Sequence, residues 1–81
     1  MATKSYNQIA RERFTATAAL YNKEIDWIMG EGRYAVVANC QNFTISLHET
    51  RDIAKKSRGN IDVTGCGSNC IKEHFVIDLD K

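Results

Sequence analysis

The period of apolar positions along this chain switches between helical and strand-like, and each switch marks an element. The stretch from Phe43 to Thr64 is the most explicit. Phe43-Thr44-Ile45 alternates as a strand does. Ser46-Leu47-His48-Glu49 has the S-x-x-E spacing of a capping box, in which hydroxyl and carboxylate satisfy the first orphan amides of a helix. Ile53 and Ala54 form that helix's apolar side, and Gly59 after Arg58 is a left-handed stop. Asn60-Ile61-Asp62-Val63-Thr64 alternates again, so the stretch predicts strand, capped helix, strand.

Upstream, Ser5-Tyr6-Asn7-Gln8 reads as a second capping box, and nothing breaks a helix before Gly30-Glu31-Gly32. A helix from Tyr6 to Met29 would have about 24 residues and a length of roughly 36 Å. Plotted at the helical period, Ile9, Ala16, Leu20 and Trp27 fall on one stripe. Ala10, Phe14, Tyr21, Ile25 and Ile28 fall on a neighbouring one, with Arg13 and Glu24 in the seam. The combined arc is wider than one sheet needs. Either a second chain covers the surplus, making a homodimer through the N-terminal helix, or a curled sheet and the second helix cover both stripes.

Arg33 to Asn39 is rich in β-branched residues and apolar on both faces, as a central strand is. Cys40-Gln41-Asn42 turns it back towards Ile45, and Gly65-Cys66-Gly67-Ser68-Asn69 forms a later tight turn. The last strand is expected from Cys70 to Leu79, with Ile71, Phe75, Ile77 and Leu79 on one face. Lys72, His74, Asp78 and Asp80 point to the other, polar, face. The predicted class is α+β: one domain over residues 1–81, a long N-terminal helix, then ββαββ. Its four-stranded sheet is mostly antiparallel, with the helices on one face.

Composition narrows the function more than it identifies it. A chain of 81 residues buries about 60–65% of its unfolded surface, so its one core leaves little room for an enclosed substrate pocket. That disfavours an enzyme. The apolar fraction of 43% and charged fraction of 26% are those of an ordinary globular domain. A formal charge of +1 means that nucleic acid would have to be met by a local patch. No apolar run reaches membrane-spanning length, the first residues lack a signal-peptide core, and the odd number of cysteines suits a reducing compartment. The expected location is cytoplasmic.

Cys66, Cys70 and His74, with Cys40 or His48 as a fourth ligand, have the residue types of a zinc site. On a strand, however, Cys70 and His74 would lie about 13 Å apart, too far for one metal. Cys66 and Cys70 flank a short turn, which permits a disulfide worth about 2 kcal/mol, an oxidisable pair, or two thiols that merely cap a hairpin. No metal or other cofactor is expected. Catalysis by cysteine needs a histidine within reach of the thiol, and no spacing in the sequence places one there.

Arg51, Lys55 and Arg58 recur at i, i+4 and i+7 and line one side of the second helix, with His48 beside them. Clustered long-armed cations of this kind make phosphate contacts, although no aromatic side chain is interleaved to stack bases. The same cations also suit a solvated helix C-terminus. Gly65-Cys66-Gly67 is followed by a strand and is not a phosphate loop. Asp78 and Asp80 suit a structural or solubilising role.

In its long helix from Tyr6 to Met29, hairpin from Arg33 to Ile45 and unit from Ser46 to Thr64, the chain resembles the small single-domain inhibitors of phages and mobile elements, anti-CRISPR proteins among them. The resemblance implies a non-enzymatic inhibitor, encoded by a phage and acting in the cytoplasm of a bacterial host. It would block a host nucleoprotein complex, such as a CRISPR effector subunit, by covering its surface. Many such inhibitors are acidic DNA mimics, whereas the near-neutral charge here favours occlusion of a protein surface. The contact residues are then Tyr21, Trp27, Arg51, Lys55 and Arg58, because aromatic residues and arginine dominate interface hot spots. The alternatives are a nucleic-acid-binding module using the basic stripe, and a cysteine-based redox or zinc protein.

Overall fold

A computed structural model describes residues 4–40, 42–66 and 73–81. Helix α1 (Tyr6–Leu20) begins at Ser5 with the expected capping box: the Ser5 hydroxyl accepts from the Gln8 amide, and the Gln8 side chain accepts from the Ser5 amide, each at 3.2 Å. The helix ends nine residues before Met29 because Asn22 adopts a left-handed conformation, φ +57°. The Lys23 amide then bonds Ala18 O at 2.9 Å and the Asn22 amide bonds Ala19 O at 3.0 Å. This is a Schellman ending, with asparagine in glycine's usual place.

Residues assigned by periodicity to the end of that helix form instead an edge strand, β1 (Ile25–Gly30). It is followed by β2 (Tyr34–Asn39), β3 (Phe43–His48), the short helices α2 (Arg51–Ser57) and α3 (Ile61–Thr64), and β4 (His74–Asp78). The sheet order is β1-β3-β2-β4. Pairs β2–β3 and β2–β4 are antiparallel and β1–β3 is parallel. The chain is therefore α+β with a mostly antiparallel four-stranded sheet, as its sequence predicts, although two elements change identity. Ile25, Trp27 and Ile28 belong to a strand, and Asn60–Thr64 is a helical turn rather than a strand. The Asn60 side chain accepts from the Asp62 amide at 2.9 Å and caps that turn. The second helix starts one turn later than the S-x-x-E spacing indicates: Ser46 stays in β3 and Thr50 is the cap, its hydroxyl accepting from the Ile53 amide at 3.2 Å. The left-handed glycine is Gly65, closing α3, and not Gly59. The turn at Gly67–Asn69 and the strand start at Cys70 lie outside the described residues.

The connection from β1 to β2 must cross the end of β3, which lies between them. Gly30 and Gly32 make the crossing, with φ of +75° and +139°. A Cβ at either would fall 2.6 Å from Leu47 O or 2.2 Å from the His48 backbone. Only glycine permits so close an approach.

The helices lie on both faces of the sheet, not on one. Ala10, Phe14 and Ala18 of α1 pack on Ala35, Val37, Phe43, Ile45 and Leu47, the odd-numbered positions of β2 and β3. The even-numbered positions face α2 and α3: the Thr44 hydroxyl donates to Thr64 O at 3.2 Å, and the Trp27 indole, paired in register with Thr44, donates to Val63 O at 3.2 Å. A further departure lies on β4. His74 and Asp78, on what alternation makes a solvated polar face, are buried, His74 against Arg58 at the end of α2 and Asp78 against the Arg33 side chain.

Candidate functional site

Arg51 and Lys55 of the basic stripe are exposed and Arg58 is half-buried, and the fold adds what the sequence does not show. Arg51, Lys55 and Arg58 line an open groove of about 230 Å³ whose other wall is His74, Phe75 and Val76 of the edge strand β4. Phe75 pairs in register with Val37, which packs in the α1-side core, so its 53% exposed ring lies on the opposite face of the sheet from the cations. Arg51 also lies over the Tyr34 ring, 5.8 Å from its centroid. The groove thus sets long-armed positive charge from α2 against the edge strand β4.

Arg58 builds the groove as well as charging it. Its Nε donates to His74 O at 3.1 Å, and His74 Nδ1–H donates to Arg58 O at 2.6 Å. A carbonyl cannot donate, so this second bond fixes the tautomer, leaving the Nε2 lone pair free of the ring proton. Nε2 lies 3.2 Å from Cys66 Sγ, the half-buried residue just after Gly65. The helical turn of α3, absent from the sequence reading, is what carries Cys66 back to β4 and brings a histidine beside a cysteine.

Tyr21 is exposed at the end of α1 and does not belong to the groove. Trp27 is half-buried and its indole N–H is bonded within the chain, supporting the β1–α3 contact. The wide apolar arc attributed to one helix is divided between α1 and β1, and so no longer calls for a second copy. His48 is half-buried with Nε2 2.7 Å from the Ser46 hydroxyl, and burial lowers its pKa. Cys40 lies at the far end of β2, where Lys23 Nζ donates to Asn39 Oδ1 at 2.7 Å and to Cys40 O. Cys70 lies outside the described residues, among which no cluster of three or more metal-ligating side chains is found.

Asp78 has a structural role. Its two oxygens accept from Arg33 Nε and Nη2, both at 2.7 Å. These bonds hold the Asp78 carboxyl at a pKa of about 2 and raise that of the Arg33 guanidinium. Asp80 accepts from the Tyr6 hydroxyl at 3.1 Å, which raises the phenol's pKa and ties β4's end to the start of α1.

Among the described residues no helix is long and apolar enough to cross a membrane. No protein-family model, curated protein or solved structure matches this chain.

Proposed function

We propose that this chain is a non-catalytic binding module that grips a polyanion in the α2–β4 groove, with the phosphate backbone of nucleic acid as its ligand. The observation that carries this reading is the convergence of Arg51, Lys55 and Arg58 on one open groove. Phosphates meet the cations, a contact that is independent of base sequence. An open groove of this size admits a backbone in passing and does not enclose a small substrate.

The test is fluorescence anisotropy with a labelled oligothymidylate across a salt series. Three phosphate contacts give a slope of log K against log salt near about −2 for a single strand. Arg51→Gln with Lys55→Gln is expected to weaken binding and flatten that slope, and Phe75→Ala, on the opposite face of the sheet, to leave both unchanged. Binding that ignores salt, or survives the Arg51 and Lys55 changes, sinks the proposal.

A second reading keeps the inhibitor function, with the groove pressed against an acidic surface of a host nucleoprotein complex. Leu20 and Tyr21, 83% and 56% exposed at the end of α1, favour it, since phosphate recognition has no use for them. A tagged pull-down from bacterial lysate separates the two. Recovery of a stoichiometric protein after nuclease treatment supports the inhibitor, and loss of the captured material with nuclease supports the nucleic-acid module.

A further inference from the structure

We propose that Cys66 is a histidine-activated thiol and the site at which this chain is oxidised by hydroperoxides. The inference goes beyond polyanion binding and does not depend on it. It rests on the order of contacts Arg58 O, His74 Nδ1, His74 Nε2, Cys66 Sγ, at 2.6 Å for the first bond and 3.2 Å for the last.

The geometry assigns each proton. Nδ1–H is committed to a backbone carbonyl, so Nε2 is the acceptor and the thiol is the donor. Transfer of that proton to Nε2 produces an imidazolium whose two N–H groups are both already placed, one on Arg58 O and the other on the thiolate. Neither charge is left without a partner, although the ring is fully buried. A paired thiolate is the reactive form of cysteine, and a histidine partner is one of the arrangements that stabilises it. His74 is fully buried and Cys66 is only half-buried, so the base is fixed in the interior and the cysteine is the member of the pair nearer solvent.

The reaction balances with one molecule of hydroperoxide. The thiolate sulfur attacks the distal oxygen, the S–O bond forms and the O–O bond breaks. Sulfur loses two electrons to the peroxide oxygens. The departing alkoxide or hydroxide takes the proton held on His74 Nε2 and leaves as alcohol or water, and Cys66 remains as the sulfenic acid.

A contact that merely satisfies a buried imidazole makes the opposite kinetic forecast, because partial burial of an ordinary thiol slows its reactions. The wild-type protein therefore supplies its own control. Alkylation by iodoacetamide at pH 7 is followed for each cysteine by fragment-ion mass spectrometry, in buffer and in urea sufficient to unfold the chain. An ordinary thiol is about 3% ionised at this pH. The histidine-paired thiol of the proposal, its gain offset by the lower nucleophilicity of a more acidic sulfur, is expected to alkylate about tenfold faster in the folded protein than in the unfolded chain. Cys40 gains nothing on folding. Hydrogen peroxide with dimedone is expected to label Cys66 ahead of Cys40, and His74→Gln to remove the advantage if that variant folds. A Cys66 rate no higher in the folded protein overturns the proposal, as does fast alkylation without a peroxide-dependent dimedone adduct.

Discussion

Arg58 and His74 hold each other by two hydrogen bonds of opposite sense: the arginine side chain donates to the histidine carbonyl, and the histidine ring donates to the arginine carbonyl. The clasp fastens the end of α2 to the first residue of β4. Arg58→Met, which keeps much of the stem and removes the donors, is expected to lower stability by about 1.5–3 kcal/mol, the range for a hydrogen bond to a charged group. Lys55→Gln, on the same stripe, is expected to stay within about 0.5 kcal/mol of the parent. Urea titrations of the two variants make the comparison. Equal midpoints would show that the clasp contributes nothing.

Acid stability is governed in part by Asp78. Its pKa falls from an ordinary 3.8 to about 2 because Arg33 bonds the ionised form. The unfolded chain thus takes up this proton more readily than the folded one, so stability rises with pH in the intervening window. The contribution is complete above the ordinary value and is lost as pH falls through about 2. Asp78→Asn is expected to lower Tm at neutral pH, with the difference from the parent shrinking between about pH 4 and pH 2. A difference independent of pH would remove the ion pair from the account.

His48 makes the same kind of contribution nearer neutrality. Burial lowers its pKa below the ordinary 6.5, so protonation favours the unfolded chain. Its neutral form supports the fold fully above that value, and the support declines as pH drops below it. In a thermal melt series, His48→Gln is expected to lessen the loss of Tm on acidification just below pH 6.5. An unchanged pH profile in that region would exclude this role.

Trp27 tests the sheet assignment directly. Trp27→Ala removes the bond to Val63 O and the ring beneath Gly65. A loss of roughly 3 kcal/mol is expected, at the lower end for a truncated aromatic because the ring is only half-buried. As an interface anchor on an exposed helix, the same residue would be replaceable without loss of fold. Circular dichroism and a urea titration on the variant decide between the two.

Asn22→Gly is expected to be neutral or slightly stabilising, and Asn22→Ala to cost about 1 kcal/mol, because only the first tolerates φ +57° at little strain. Equal stabilities would mean that α1 does not depend on its left-handed ending.

What the sequence shows clearly is local. The capping box at Ser5 and the β-branched strands around Val37 and Ile45 are each specified by a few adjacent residues. The misreadings occur where two periods fit the same letters. Ile25, Trp27 and Ile28 fit a helical stripe as well as a bulged strand, whose register shifts between Ile25 and Trp27; Asn22 was the available signal for the break. Ile61 and Val63 alternate, yet Asn60 is a helix cap before them. The groove was half legible: the spacing of Arg51, Lys55 and Arg58 gave one wall, while His74 and Val76 form the other only through the pairing of β4 with β2. The Cys66–His74 contact was not legible, because it depends on a helical turn that alternation conceals.

The strand order has a kinetic consequence. Among the described residues, only β2 and β3 pair across a short local turn, and they occupy the middle of the sheet. Assembly is therefore expected to start from a central hairpin and grow outwards, with β1 adding to one side and β4 to the other. Neither edge has a template before the hairpin exists. During synthesis, α1 and β1 emerge first but must wait for β3, so they depend on the later part of the chain to become part of a fold at all.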